Sequence, residues 1–260
     1  MNEQNPVILI ADDEAVNQKV FSLALEKLGY SCVIAGDGEE ALEKAKTSVP
    51  ALAFFDILMP KMDGFEAAGN LRSLGYKMPI IITTATFLPG HEENCKKSGI
   101  SDVLIKPIKI SEIKSMLEKW LVPGGQPQAF GSVSAGSAAS TVSEQAAFNA
   151  KEMLNAFLGD TKIAFPLLSR FIERTSSQLE SFPALKAAGD WAAARSNSHT
   201  IKGAAATMGG AELGKAADAL EKACINASVK EAEAAYSHLL ETFARYKQEA
   251  EQFIKVSKSQ

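Results

Sequence analysis

Residues 7–13 read Val7-Ile8-Leu9-Ile10-Ala11-Asp12-Asp13: five apolar residues run without interruption into two adjacent carboxylates. A strand with no polar alternation belongs inside a sheet that is covered on both faces. Four more short runs of this kind follow, at Cys32–Ala35, Ala51–Phe55, Pro79–Thr84 and Asp102–Ile105. Amphipathic stretches fill the gaps. Val16, Val20, Leu23 or Ala24, and Leu28 recur at helical spacing, and Glu39–Lys46, Phe65–Leu74, His91–Ser98 and Ile110–Leu121 follow the later runs. Gly29 and Gly75 supply C-terminal stops. Five strand–helix units predict an α/β fold, a parallel sheet between two helical layers, with its chemistry at the carboxyl ends of the strands.

These units end near residue 122, and the character of the chain then changes. Residues 123–143 are Pro, Gly, Ser, Ala and Gln with scattered Phe, Val and one Thr, and carry no charge. They read as a flexible linker, with a coil reach of about 25 Å. Residues 144–256 hold no strand pattern. Helices are expected at Glu144–Phe157, Asp160–Phe182, Asp190–Met208, Glu212–Asn226 and Lys230–Lys255, separated by Gly159, Gly189, Gly209–Gly210 and Asn226–Ser228. Short turns between long helices predict an all-α four-helix bundle. The expected domains are therefore 1–122, a linker at 123–143, and 144–256.

Composition narrows the function. The 260 residues are 46% hydrophobic and 22% charged, an ordinary globular profile. Net charge is -4, all of it in residues 1–122, where 17 acidic side chains face 13 basic ones. No basic stripe marks a nucleic-acid surface. Three widely spaced cysteines, Cys32, Cys95 and Cys224, argue against a disulfide scaffold. No apolar run approaches the ~20 residues of a membrane span, and Val7–Ala11 lacks the basic flank of a signal peptide. The expectation is a cytoplasmic protein without nucleic-acid or membrane partners.

Asp12 and Asp13 follow the first strand directly, and Asp56 follows the third. With those strands adjacent, three carboxylates meet at one edge of the sheet. A lone aspartate there is ordinarily a cap. Three together are costly unless a cation sits among them, and hard oxygen ligands suit Mg²⁺. Lys106 and Pro107 end the fifth strand, and Thr84 with the small Ala85 ends the fourth. An ammonium, a hydroxyl and a divalent cation are the parts that stabilise a phosphoryl group in transit, and Asp56 is the candidate nucleophile.

Residues 5–121 also resemble a bacterial response-regulator receiver domain. The matching segments are Ala11-Asp12-Asp13-Glu14, Asp37-Gly38-Glu39-Glu40-Ala41-Leu42, Asp56-Ile57-Leu58-Met59-Pro60-Lys61-Met62-Asp63-Gly64, Thr84-Ala85 and Lys106-Pro107. The resemblance implies a flavodoxin-like sheet in the order 2-1-3-4-5 and phosphorylation at Asp56. It implies Mg²⁺ held by Asp13, Asp56 and the Leu58 carbonyl, with Asp12 acting through water. Thr84 and Lys106 would contact the phosphoryl group, the Lys106–Pro107 bond would be cis, and Gly64 would give the loop after Asp56 a positive φ. One departure is Val103, where the family usually has Tyr or Phe. The usual hydroxyl–aromatic coupling is thus incomplete.

In the second half, His199 sits in mid-helix within Arg195-Ser196-Asn197-Ser198-His199-Thr200-Ile201-Lys202-Gly203. Gly203, one turn on, costs ~1 kcal/mol relative to Ala in a helix; it leaves the imidazole accessible. Arg195 and Lys202 offer cations to a phosphoryl group. His91 and His238 are expected to be structural or surface residues. The stretch from His199 to Gly209 resembles the signature of histidine-containing phosphotransfer domains. That implies a phosphoryl acceptor and donor at His199, with Lys202 neutralising charge and Gly203 making room for a partner. With no Walker-type loop in the sequence, the chain reads as a Mg²⁺-dependent phosphoryl transfer protein and not a self-contained kinase. The expected partners are a histidine kinase or hybrid kinase, and other receiver domains. The alternative is a binding module switched at Asp56, with His199 unused.

Overall fold

The structure is a computed structural model that describes residues 5–85, 87, 90–121 and 146–257. It divides into two compact units, Met1–Ser140 and Thr141–Gln260. The expected linker at 123–143 lies outside the described residues.

The first unit alternates β1 (Val7–Ala11), α1 (Ala15–Lys27), β2 (Ser31–Ala35), α2 (Gly38–Ser48), β3 (Leu52–Asp56), α3 (Gly64–Ser73), β4 (Ile80–Thr84), α4 (His91–Lys97), β5 (Asp102–Ile105) and α5 (Ile110–Leu121). The strands pair in parallel in the order β2-β1-β3-β4-β5. Period-two alternation sends Leu9, Phe55, Ile80, Ile82 and Val103 into one layer with α2, α3 and α4. Ile8, Ile10, Phe54, Ile81 and Leu104 face α1 and α5. Phe21 of α1 packs on Phe54 with ring centroids 4.9 Å apart. Each such fully buried side chain contributes about 1.5–3 kcal/mol. Helix starts are set by side chains, with Asp37 accepting from Glu40 N and Asp63 from Glu66 N, both at 2.8 Å.

The loop after β3 corrects one expectation. Its left-handed residue is Lys61, at φ 63°, and Gly64 is not in the positive-φ region. Gly64 is needed for a different reason: a Cβ there would collide with the Asp56 carbonyl oxygen. The Lys106–Pro107 bond is cis.

The second unit is helical, with α6 (Ala150–Ala156), α7 (Thr161–Ala188), α8 (Trp191–Ala205), α9 (Ala211–Ile225) and α10 (Val229–Ser257). The four long helices close into a bundle, α7 packing on α8 and α10, and α9 on the same two. The first helix begins at Ala150, not Glu144. The second runs past Phe182 through Pro183 to Ala188. Proline removes the hydrogen bond that the Leu179 carbonyl would accept. Tyr236 of α10 replaces it, donating its hydroxyl to Leu179 O at 2.9 Å while its ring stacks on Phe182. Leu240 of α10 is exposed.

At the α8–α9 turn Gly209 has φ 71°, and Asn149 N donates to its carbonyl at 2.7 Å. A Cβ on Gly209 would meet the Asn149 carbonyl oxygen. Gly209→Ala should therefore destabilise the bundle by about 2 kcal/mol or more. The check is the urea midpoint of the helical transition, which should fall at an unchanged slope.

Candidate functional site

The carboxyl edge of the first sheet gathers Asp12, Asp13 and Asp56. One ligand oxygen from each lies within 4.8 Å of the others. Asp56 is the last residue of β3, and Asp12 and Asp13 leave neighbouring β1. Lys106 crosses from beyond β5 and donates its ammonium to Asp56 Oδ2 at 2.7 Å and Asp12 Oδ2 at 2.9 Å. All three of these groups are buried. Burial alone would push the Lys106 ammonium toward neutrality, but attraction to Asp12 and Asp56 outweighs it and raises the pKa.

The remaining lone pairs are used to fix geometry. Asp56 Oδ1 accepts from Ile57 N at 2.8 Å. Asp12 Oδ1 accepts from Glu14 N at 2.9 Å and Asn17 Nδ2 at 3.1 Å, and Gln18 Nε2 donates to the Asp12 carbonyl at 2.6 Å. Asn17 and Gln18 escaped the sequence reading, and Glu14 entered it only within the matching segment, although their place in and just before the first turn of α1 puts all three at the same edge. Lys106 N donates to Thr84 O at 2.8 Å, which ties the end of β5 to β4. Thr84 is buried as the last residue of β4, Ala85 follows it, and Pro107 is exposed. Leu58 lies two residues past Asp56 in the loop that Gly64 keeps close to β3. Val103 lies in β5 among apolar neighbours.

The donor set fits a hard divalent cation. Taken by themselves, three carboxylates and one ammonium carry two negative charges. Oxygen is the only ligand type present, as Mg²⁺ requires.

The second unit builds a different site on α8. His199 is nine-tenths buried, and its Nδ1 lies 2.9 Å from Glu221 Oε1 on α9. An ionised carboxylate only accepts, so the Nδ1–H of His199 donates to Glu221 and the ring turns Nε2 away from it. Burial raises the Glu221 pKa, but His199 and Lys202 pull it below the ordinary value. Lys202 pairs with Glu221 Oε2 at 3.1 Å and with Asp218 Oδ1 at 2.6 Å. Asp218 also pairs with Lys222 at 2.7 Å. The expected cation is thus brought to the carboxylate that holds the imidazole. A Cβ on Gly203 would meet nothing within 4 Å, so there is open space one turn from His199. Arg195 is half-buried, and its Nε has no hydrogen-bond partner among the described residues.

Glu221 and Asp218 were missed in the sequence. The available signal was Glu221 itself, a carboxylate in the apolar row of Leu213, Ala217, Leu220 and Cys224. His91 packs between Phe65 and Phe87, at 5.8 and 5.5 Å between ring centroids, and His238 is exposed. Neither joins a site described above.

Two families match. The response regulator receiver domain covers residues 8–118, and the Hpt domain covers residues 166–253. The chain is similar to the hybrid signal transduction histidine kinase F of Dictyostelium discoideum, 38% identical over 122 residues. That match covers 45% of this chain and 11% of the kinase. It is similar to the sensor histidine kinase RcsC of Escherichia coli, 34% identical over 111 residues, 43% of this chain and 12% of RcsC. The chain thus spans about an eighth or less of these relatives. A solved receiver domain, that of sensor histidine kinase PA1611 from Pseudomonas aeruginosa, holds a magnesium ion in its active-site cleft. It is 34% identical, covers 45% of this chain at 98% of its own length, and has a TM-score of 0.43. Receiver domains generally bind Mg²⁺ at their acidic site, and receiver and Hpt domains interact with histidine kinases or response regulators. The chain joins a response regulator receiver domain to an Hpt domain and belongs to the two-component phosphorelay proteins.

Proposed function

We propose that the chain is a phosphorelay intermediary carrying phosphoryl groups on Asp56 and His199. The observation that supports this most is the meeting of Asp12, Asp13 and Asp56 within 4.8 Å, with one ammonium shared by two of them. Asp13, Asp56 and the Leu58 carbonyl would hold Mg²⁺, with Asp12 behind them. The ion would neutralise charge on the transferring oxygens. A carboxylate nucleophile has no proton to lose in the attack, so Asp56 attacks phosphorus without a general base. A phosphorus–oxygen bond forms as the bond to the donor's leaving atom breaks, and that atom keeps the electron pair. Lys106 then turns from a carboxylate pair to a phosphoryl oxygen, while Thr84 donates from the end of β4. Ala85 and Pro107 leave room and fix the approach of the lysine.

In the Hpt unit His199 Nε2 is the attacking atom, held toward the open space beside Gly203 while Glu221 retains the proton on Nδ1. Lys202 offsets the added charge from its bridge to Glu221, and Arg195, one turn earlier on α8, adds a second cation. Histidine or hybrid kinases are the phosphodonors, and other receiver domains exchange with His199. Among the described residues no helix is long and apolar enough to cross a membrane, in keeping with a cytoplasmic carrier. A binding module with His199 unused has no observation in its favour.

Labelling tests the assignment directly. With Mg²⁺ and a small phosphodonor, wild type should take up an acyl phosphate and Asp56→Asn should not. With the cognate kinase, an acid-labile, base-stable phosphohistidine should appear in wild type and vanish in His199→Gln. Equal labelling of Asp56→Asn and wild type contradicts the receiver role.

Glu221→Gln should slow transfer through His199 by roughly tenfold, because the ring is no longer held in one tautomer. It should also change acid stability. The pKa values of Glu221 and Asp218 are lowered in the folded unit. Their stabilisation is therefore complete above the ordinary glutamate value of 4.5 and is lost as pH falls through the lowered values. Glu221→Gln should lose less stability across that acid window, as read from melting midpoints between pH 3 and 6.

A further inference from the structure

The last two residues of β4, Thr83 and Thr84, face opposite ways. Ile80 and Ile82 lie in the layer with Phe55 and Val103, and Ile81 lies with Phe54 and Leu104. Alternation puts Thr84 on the Ile82 face and Thr83 on the Ile81 face. Asp56 follows Phe55 and so shares the Thr83 face. The register pairs Asp56 with Thr83 directly, and neighbouring strands run about 4.8 Å apart.

Lys106 belongs to the same face. It lies two residues past Leu104, and it must cross β4 to reach Asp56 on β3. Strand β4 meets that arm with Thr83 at the level of Asp56. The Thr83 side chain is 1% exposed, and its hydroxyl has no hydrogen-bond partner among the described residues. Its carbonyl is used, accepting from Ile57 N at 3.3 Å. A buried hydroxyl left unpaired is costly, and valine has nearly the same shape without that cost. The strand is Ile80-Ile81-Ile82 up to this point, so a valine would continue its apolar row.

We propose that the Thr83 hydroxyl is a further donor of the Asp56 site, unused in the free pocket and taken up by an oxygen of the aspartyl phosphate. This rests on Asp56 being the phosphoacceptor. Phosphorylation adds three strong acceptor oxygens to Asp56, the residue that the register pairs with Thr83. Thr83 therefore destabilises the free state and stabilises the phosphorylated one, shifting the equilibrium toward loaded Asp56 from both ends.

The experiment uses the full chain as wild type, Thr83→Val, Thr83→Ser and Asp56→Asn. Beryllofluoride with Mg²⁺ is the probe, since its adduct on a carboxylate imitates an acyl phosphate. Thr83→Val should bind it roughly tenfold more weakly, the factor that a hydrogen bond to a charged group carries. Thr83→Ser should stay within about twofold of wild type. Without metal or probe, Thr83→Val should melt higher by roughly 5 °C in the transition that Mg²⁺ shifts. Unchanged beryllofluoride affinity in Thr83→Val overturns the inference, as does a lowered melting midpoint. If wild type and Asp56→Asn bind the probe equally, the assignment of Asp56 itself fails.

Discussion

The ammonium of Lys106, buried between Asp12 and Asp56, is the interaction on which the receiver site depends. It joins the ends of β1, β3 and β5, strands that are not all neighbours, at an edge where like charges would otherwise repel. Breaking a buried pair from one side costs about 3–5 kcal/mol. The sheet can hold its carboxylates so close because the cation is always present. The same contact keeps the site responsive. Lys106 is bound to Asp12 and Asp56, whose oxygens a phosphoryl group and a metal would claim on the proposed reading, so its bonds would be redistributed there.

The helical unit solves a related problem by other means. On the proposed reading its acceptor is the His199 ring, so the need is to orient that ring and leave one nitrogen reachable. Glu221 does the first and Gly203 the second. The chain Lys222–Asp218–Lys202–Glu221–His199 alternates charge along α9 and across to α8. It keeps a buried carboxylate ionised beside the imidazole. Both sites thus rest on charges that are paired before any phosphate arrives.

Much of this was legible in the sequence because it is carried by local pattern. Continuous apolar runs announced β1 to β5, and strand-end positions announced Asp12, Asp13, Asp56 and Lys106. The Gly203–Lys202 neighbourhood singled out His199 from the other histidines. What escaped depends on residues distant in sequence. Helix α7 passes Pro183 because Tyr236, on another helix, supplies the missing hydrogen bond. Gly64 is required by the Asp56 carbonyl and not by its own torsion angle. Glu221 stands out only through its contact with His199, and Thr83 is notable only because its hydroxyl is buried without a partner among the described residues. No local propensity encodes any of these.

The most direct measurement of the central claim is the anomalous difference map of crystals soaked in Mn²⁺, a stand-in for Mg²⁺. The account predicts one peak at the carboxyl edge of the first sheet, about 2 Å from carboxylate oxygens of Asp13 and Asp56, with Lys106 still in contact with the cluster. A peak elsewhere, or none in wild-type crystals at millimolar Mn²⁺, would contradict it.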